Sequence, residues 1–214
     1  QHSYLIGRFS TDLSAYSTLT HGLTPLNSYG IIEVSGKDSE SFLQGLVSND
    51  IVTNSNSYNA ILAPNGRYLY DCFISKSNDD KYLIETDNNS IQSLLKHFKK
   101  YKLRSKVKFN DISNEYSIWS IMTSPKNIES TYQQIQSKLT NNDTLFYIDP
   151  RYKYLGIRIM LKQTDIPFFL SNSFVPIGED FYSVLKYCYG IPSNGLDLIT
   201  DKSIILETNF KYLN

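Results

Sequence analysis

Asp71 interrupts an apolar and aromatic run, Tyr68-Leu69-Tyr70-Asp71-Cys72-Phe73-Ile74. A carboxylate in such a setting is costly unless it is hydrogen-bonded, ion-paired or turned to solvent. A binding or catalytic site is one reason for keeping it there; a structural pair, or a place on the solvent face of a period-2 strand, is the plainer one. A second concentration of chemistry is KHFKKYKLRSKVK at 96–108, where Lys96, Lys99, Lys100, Lys102, Arg104, Lys106 and Lys108 supply seven of the chain's 21 basic residues. Such a strip suits phosphates, a polycarboxylate tail or RNA, and equally a solvated helix face whose lysines favour the negative end of the helix dipole. Arg104 differs from its neighbours: it lies between Leu103 and Val107 at a predicted helix-to-strand junction, where a planar guanidinium fork can hold a carboxylate or backbone carbonyls.

Other chemistries have little to work with. His2, His21 and His97 are the three histidines, and none has a partner at HxxxH or CxxH spacing, so neither a histidine zinc site nor a Ser-His-Asp triad is predicted and no metal ligands are assigned. Cys72 and Cys188 form no CxxC pair and cannot build a disulfide framework, which fits a reducing compartment. With no adjacent cation or histidine to lower its pKa, Cys72 reads as an inert strand thiol. Neither GxGxxG nor GxxxxGK[ST] occurs, which removes the common phosphate-cradling loops.

The elements that must position these residues follow from periodicity. The chain has 214 residues, 41% hydrophobic and 20% charged, with 21 acidic side chains balancing the 21 basic ones. That is globular composition for one large or two small domains. No run approaches the roughly 18 apolar residues of a membrane span, so a soluble, intracellular protein with no membrane contact is expected. Residues 1–27 show no clear period and are taken as an N-terminal extension. Tyr29 to Ser35 alternates as a strand, and a helix carrying Phe42, Leu43, Leu46 and Val47 is predicted to end near Ser48-Asn49-Asp50. Tyr58 to Ala63 and Tyr68 to Ser75 flank Pro64-Asn65-Gly66-Arg67, a strong hairpin signal. Lys81 to Thr86 is a strand, and Ile91, Leu94, Leu95, Phe98 and Tyr101 share one face of a helix. Further strands are predicted at Lys106 to Phe109, Tyr116 to Met122, Leu145 to Ile148 and Leu155 to Leu161. Helices are predicted from Ser124-Pro125 to about Leu139 and from Glu179 to Cys188. This order gives an α+β class with mixed, mostly antiparallel sheets and flanking helices in two lobes, at 28–112 and 113–214.

Four segments also carry a resemblance. FLQGLVSND at 42–50, YNAILAPNGRYLYD at 58–71, YKLRSKV at 101–107, and YSVLKYCYGIPSNGLDL with LETNFKYLN between 182 and 214 together resemble the YgfZ family, related to the aminomethyltransferase (T-protein) of glycine cleavage. Mitochondrial members of that family assist iron-sulfur assembly. The resemblance implies a GcvT/YgfZ-like fold around a tetrahydrofolate cavity. It also implies that a KGCYxGQE motif and a small β-barrel would follow Asn214, so the chain is expected to be a fragment lacking that barrel.

Matched by motif, Asp71 falls where the T-protein has the second aspartate of a GG-x-x-DD segment, near the reactive folate nitrogens, and is the one catalytic candidate; Tyr70 replaces the first. The resemblance places Tyr58 as a pocket tyrosine and Asp87 where T-proteins carry an asparagine near the pterin. Lys186 replaces an arginine usual in the last helix, and Cys188 replaces a glutamate that would bond the pterin, a loss that argues against aminomethyl transfer. The implied folate ring lies against Tyr58, Asp71, Asp87 and Tyr182, with Arg104 or Lys186 available to its glutamate tail. The expected function is that of a folate-binding accessory factor for iron-sulfur enzymes, monomeric, with client or assembly proteins as partners, located in a bacterial cytoplasm or a mitochondrial matrix. Aminomethyl transfer to tetrahydrofolate is the enzymatic alternative. RNA binding or tRNA modification through Lys96, Lys99 and Lys100 is a third reading, which the zero net charge disfavours.

Overall fold

A computed structural model describes residues 21–138, 144–164 and 174–213. His2, most of the N-terminal extension and the expected helix end near Leu139 lie outside the described residues. Two five-stranded sheets organise the chain. The first contains β2 (Tyr29–Ser35), β3 (Asn56–Leu62), β4 (Tyr68–Asn78), β5 (Lys81–Asp87) and β6 (Lys108–Asp111), in the order β3-β4-β5-β2-β6 and antiparallel throughout. The second contains β1 (Gly22–Pro25), β7 (Tyr116–Met122), β8 (Leu145–Ile148), β9 (Ile157–Lys162) and β10 (Val175–Pro176), in the order β10-β1-β7-β9-β8; only β1 and β10 run parallel. The α-helices among the described residues are α1 (Ser39–Gln44), α2 (Ile91–Tyr101), α3 (Ile128–Lys138) and α4 (Glu179–Cys188). The α+β class read from the pattern is therefore the class observed.

The amphipathic reading of α2 holds residue by residue: Ile91, Leu94, Leu95 and Phe98 are buried against the first sheet, with Lys96, Lys99 and Lys100 on the outer face. The core of that sheet gathers Ile32, Val34, Leu43, Cys72, Ile74 and Ile84 around them. A second cluster lies where the sheets meet and contains Tyr58, Tyr68, Phe73, Met160, Tyr182 and Phe210. Burying a side chain of this size contributes roughly 2 kcal/mol of stabilisation, and the seam between the sheets is part of the core.

Several elements differ from the sequence reading: β10 is not in it, β6 lies two residues later, α3 starts at Ile128, and β1 and the first helix also depart from it. Gly22–Pro25, which falls within the extension at 1–27, is a strand that pairs with Trp119 to Met122 of β7. Four residues including a proline are too few to show a period. The first helix stops at Gln44 instead of near Asn49. Past Gly45 the chain is drawn toward β3: Ser48 N donates to the Ala60 carbonyl at 3.0 Å, the Ser48 hydroxyl accepts from Ala60 N at 2.9 Å, and Val47 bridges to Ile61. Tertiary pairing thus removes Leu46 and Val47 from a helix that their spacing supports.

The turns are where backbone conformation is most restrictive. Gly66 closes the β3–β4 hairpin with φ +80° and open space around it, whereas Gly36, after β2, has φ +129° and a Cβ there would strike the Lys106 carbonyl. Gly36→Ala is therefore expected to cost about 2 kcal/mol or more and Gly66→Ala about 1 kcal/mol. Urea denaturation of the two variants, read as midpoint shifts at unchanged slope, checks the order.

Candidate functional site

Asp71 is held by two phenols. Tyr58 of β3 donates to its Oδ2 at 2.7 Å and Tyr68 of β4 donates to its Oδ1 at 2.5 Å. Tyr58 reaches it because Ala60 is the cross-strand partner of Asp71, which puts Tyr58 two residues along on the same face. Tyr68 reaches it through a bulge. Ile61 pairs with Tyr70 and Leu62 with Tyr68, leaving Leu69 as the extra residue. Strict alternation would put residues 68 and 71 on opposite faces; one inserted residue brings them together. Burial first, and then the Asp71 charge, push both tyrosine phenols well above their ordinary range. Both keep their protons at neutral pH and act as donors, which fixes the carboxylate while each oxygen keeps a further lone pair.

Asp71 lines a cleft of about 200 Å³ together with Tyr29, Asp87, Lys186, Ser193 and Asn194, among others. Asp87 ends β5 opposite Tyr29 and accepts from Asn89 N at 2.8 Å. Lys186, in the last turn of α4, reaches the Ser193 hydroxyl at 3.2 Å. The rim is clasped by Glu179 at the start of α4, which accepts from Asn27 N, Ser28 N and the Ser28 hydroxyl. The cleft thus joins two carboxylates and one ammonium beside a tyrosine ring, a set that accepts N–H donors at one end and an anion at the other. Pockets that enclose a drug-sized ligand hold about 300–1,000 Å³, so a space of this size takes one ring system and leaves the rest of a longer ligand outside.

The structure brings Asp71, Asp87 and Lys186 into one cleft. Tyr58 is fully buried behind Asp71, with its ring stacked on Phe210 at 4.8 Å. Tyr182 is 1% exposed and faces a buried ionic network. Arg104 is exposed on the loop after α2 and is not among the residues lining the cleft. Cys72 is buried, and burial followed by the Asp71 charge raises its thiol well above the ordinary range, in keeping with an inert strand residue; Cys188 is exposed. Among the described residues no three His, Cys, Asp or Glu side chains cluster to hold a metal ion. No helix among them is long and apolar enough to cross a membrane.

Sequence reasoning missed the network. Arg158 of β9 forms an ion pair with Glu85 of β5, and its Nη1 donates to Tyr182 Oη at 2.6 Å. Arg151 forks onto Asp149 at 3.0 and 2.8 Å and reaches Tyr182 at 2.5 Å. Tyr147 donates to the other Glu85 oxygen at 3.2 Å. All four charged groups are 3% exposed or less. The guanidinium of Arg151 also lies over the rings of Tyr58 at 5.4 Å and Phe73 at 4.6 Å. The available signal was charge inside strands: Glu85 follows Tyr82-Leu83-Ile84, and Arg158 sits within Ile157 to Leu161. Charged residues there are the same anomaly that singled out Asp71.

A family model for the GCVT N-terminal domain matches residues 18–160. The chain belongs to this family. Among curated relatives, the iron-sulfur cluster assembly factor IBA57 homolog, mitochondrial, of Dictyostelium discoideum is 26% identical over 239 residues, covering 95% of this chain and 57% of the relative. The Mycosarcoma maydis protein of the same name is 31% identical over 200 residues, covering 86% of this chain and 47% of the relative. The chain therefore spans about half the length of the curated relatives it matches. The crystal structure of glycine cleavage system aminomethyltransferase T from Bartonella henselae has a TM-score of 0.75 at 14% identity, covering 93% of this chain and 59% of that one. This likeness is one of fold; the family match and the curated relatives bear out the YgfZ- and T-protein-related family expected from the motifs.

Within this GCVT-type domain the buried network makes a measurable demand. Replacing Arg158 by Met leaves Glu85 buried without its cation, which is expected to cost about 3–5 kcal/mol at pH 7. Burial alone would raise the Asp149 carboxyl, but Arg151 and Arg158 outweigh it and hold it below its ordinary value of 3.8. A depressed folded-state value means that the Asp149 contribution is complete above about pH 4 and is lost as pH falls through the lower folded value. Arg151→Met should raise the folded value of Asp149 toward or past the unfolded one and so flatten this acid limb, as read by denaturant midpoints measured between pH 2 and 7.

Proposed function

We propose that this chain is the folate-binding portion of an iron-sulfur cluster assembly or maintenance factor, acting with client or assembly proteins in the mitochondrion. The observation that carries the proposal is the carboxylate of Asp71, clamped by Tyr58 and Tyr68 and turned into a cleft that also holds Asp87 and Lys186. A pterin presents several N–H donors on a flat ring, and the two carboxylates are acceptors suited to them. Lys186 is the cation in reach of a glutamate tail, and the size of the cleft suits the ring with the tail outside. Tyr58 and Tyr182 act from behind: Tyr58 fixes Asp71, and Tyr182 ties α4, which carries Lys186, to the buried arginines. Arg104 is left out of this set because it does not line the cleft. The family membership and the names of the curated relatives support the iron-sulfur role.

Calorimetric titration of the full-length protein with tetrahydrofolate is the direct check. Saturable binding is expected, weakened about tenfold or more by Asp71→Ala, as for loss of a charge-assisted hydrogen bond, and less by Lys186→Ala. Arg104→Ala should bind as the unsubstituted protein does. No heat at millimolar ligand would remove the folate reading. Formation of methylene-tetrahydrofolate with glycine-cleavage components would move the assignment to aminomethyl transfer.

A further inference from the structure

The basic strip at 96–108 has no role in the cleft, and its geometry is more specific than a solvated helix face requires. Leu103 follows the C-terminus of α2 with φ +45°, the left-handed region usually occupied there by glycine or asparagine. Its side chain is 88% exposed, the most exposed large hydrophobic among the described residues. A strained leucine facing water gains nothing from its own chain, and backbone strain kept at a surface position points to a contact made elsewhere. Its sequence neighbours include Lys99, Lys100, Lys102, Arg104, Lys106 and Lys108. Among the described residues none of these six is in an ion pair, whereas Lys76, Lys81, Arg151 and Arg158 are. Lys100 lies over the ring of Tyr101 at 5.5 Å.

The loop is held in place. Ser105 N donates to the Lys102 carbonyl at 2.8 Å, Lys106 N donates to Asp38 Oδ2 at 2.7 Å, and the Lys106 carbonyl packs on Gly36 closely enough to exclude a side chain there. A hollow of about 380 Å³ is lined by Lys102, which precedes Leu103, and by Lys106 and Lys108 over Val107 and Gly36. An exposed apolar residue on a hydrogen-bonded loop, flanked in sequence by cations outside any ion pair, suits an interface anchor with a charged rim. RNA readers instead use exposed aromatic platforms, and Tyr101 is half-buried. One leucine supplies little area for insertion into a lipid surface.

We propose that the loop 102–108 docks an acidic protein surface, with Leu103 inserted into an apolar socket of that partner and the surrounding cations paired with its carboxylates. This surface is separate from the cleft, and its test does not depend on folate. A photoreactive diazirine carried at position 103 of the full-length protein should give a discrete adduct in its own cells. The cross-linked peptide should lie on a surface rich in Asp and Glu. With that partner purified, Leu103→Gly should weaken binding about tenfold while leaving the melting temperature equal or higher, because glycine relieves the strain. Lys102→Glu combined with Lys106→Glu should abolish binding, and raising salt from about 0.1 to 0.5 M should weaken it. Tetrahydrofolate titration of Leu103→Gly should match the unsubstituted protein. The proposal is overturned by the absence of a reproducible protein adduct, by an adduct on a surface without carboxylates, or by unchanged affinity of Leu103→Gly. Leu103-dependent capture by RNA or by phosphatidylserine vesicles in place of a protein would also overturn it.

Discussion

The ion pair between Arg158 and Glu85 is the constraint on which the arrangement of the two sheets depends. Each partner comes from a different sheet and neither is measurably exposed. A buried pair of this kind gains little over a well-packed apolar pair, yet separating its members leaves a charge without water or partner. The sheets are therefore held in the relation that keeps Glu85 on Arg158, while the Tyr182 hydroxyl sits between Arg158 and the local Arg151–Asp149 pair. Hydrophobic contact at the seam alone would tolerate sliding; the charges do not.

The consequence reaches the cleft through packed rings. Arg151 lies over Tyr58 and Phe73, and Tyr58 stacks on Phe210 and donates to Asp71. The chain segment carrying Phe210 also binds the hairpin by its backbone, since Asp201 N donates to the Tyr68 carbonyl and Tyr68 N to the Ser203 carbonyl. Asp71 is thus fixed by elements from the beginning, middle and end of the described chain. A carboxylate so fixed is suited to receiving ligand donors in one orientation, the preorganisation that lowers the entropic cost of binding.

Much of this was legible in the residues, and the limits were physical. Helix α2, the Asn65-Gly66 hairpin and strands such as Tyr116–Met122 follow from local periodicity and turn chemistry, which act within a few residues. Asp71 was legible because a carboxylate breaks an apolar run. Tyr68 as its second clamp was hidden, because the bulge at Leu69 reverses the alternation that a sequence reading must assume. Arg158 and Glu85 were hidden for another reason: each looks like an isolated polar residue until the fold brings strands from both sheets together, and nothing local shows that the Asp149–Arg151 pair joins them. Arg104 lies away from the cleft. A guanidinium between apolar neighbours read as a fixed fork, yet it belongs to an exposed loop on a different surface.

The account stands or falls on whether the fixed carboxylate is the point of ligand contact. A crystal structure of the full-length protein grown with tetrahydrofolate tests this most directly. The pterin ring is expected in the cleft with its nitrogens within hydrogen-bond distance of Asp71, while Tyr58 and Tyr68 still donate to that carboxylate. A ligand ordered elsewhere on the molecule, or a ring in the cleft that leaves Asp71 uncontacted, would contradict it.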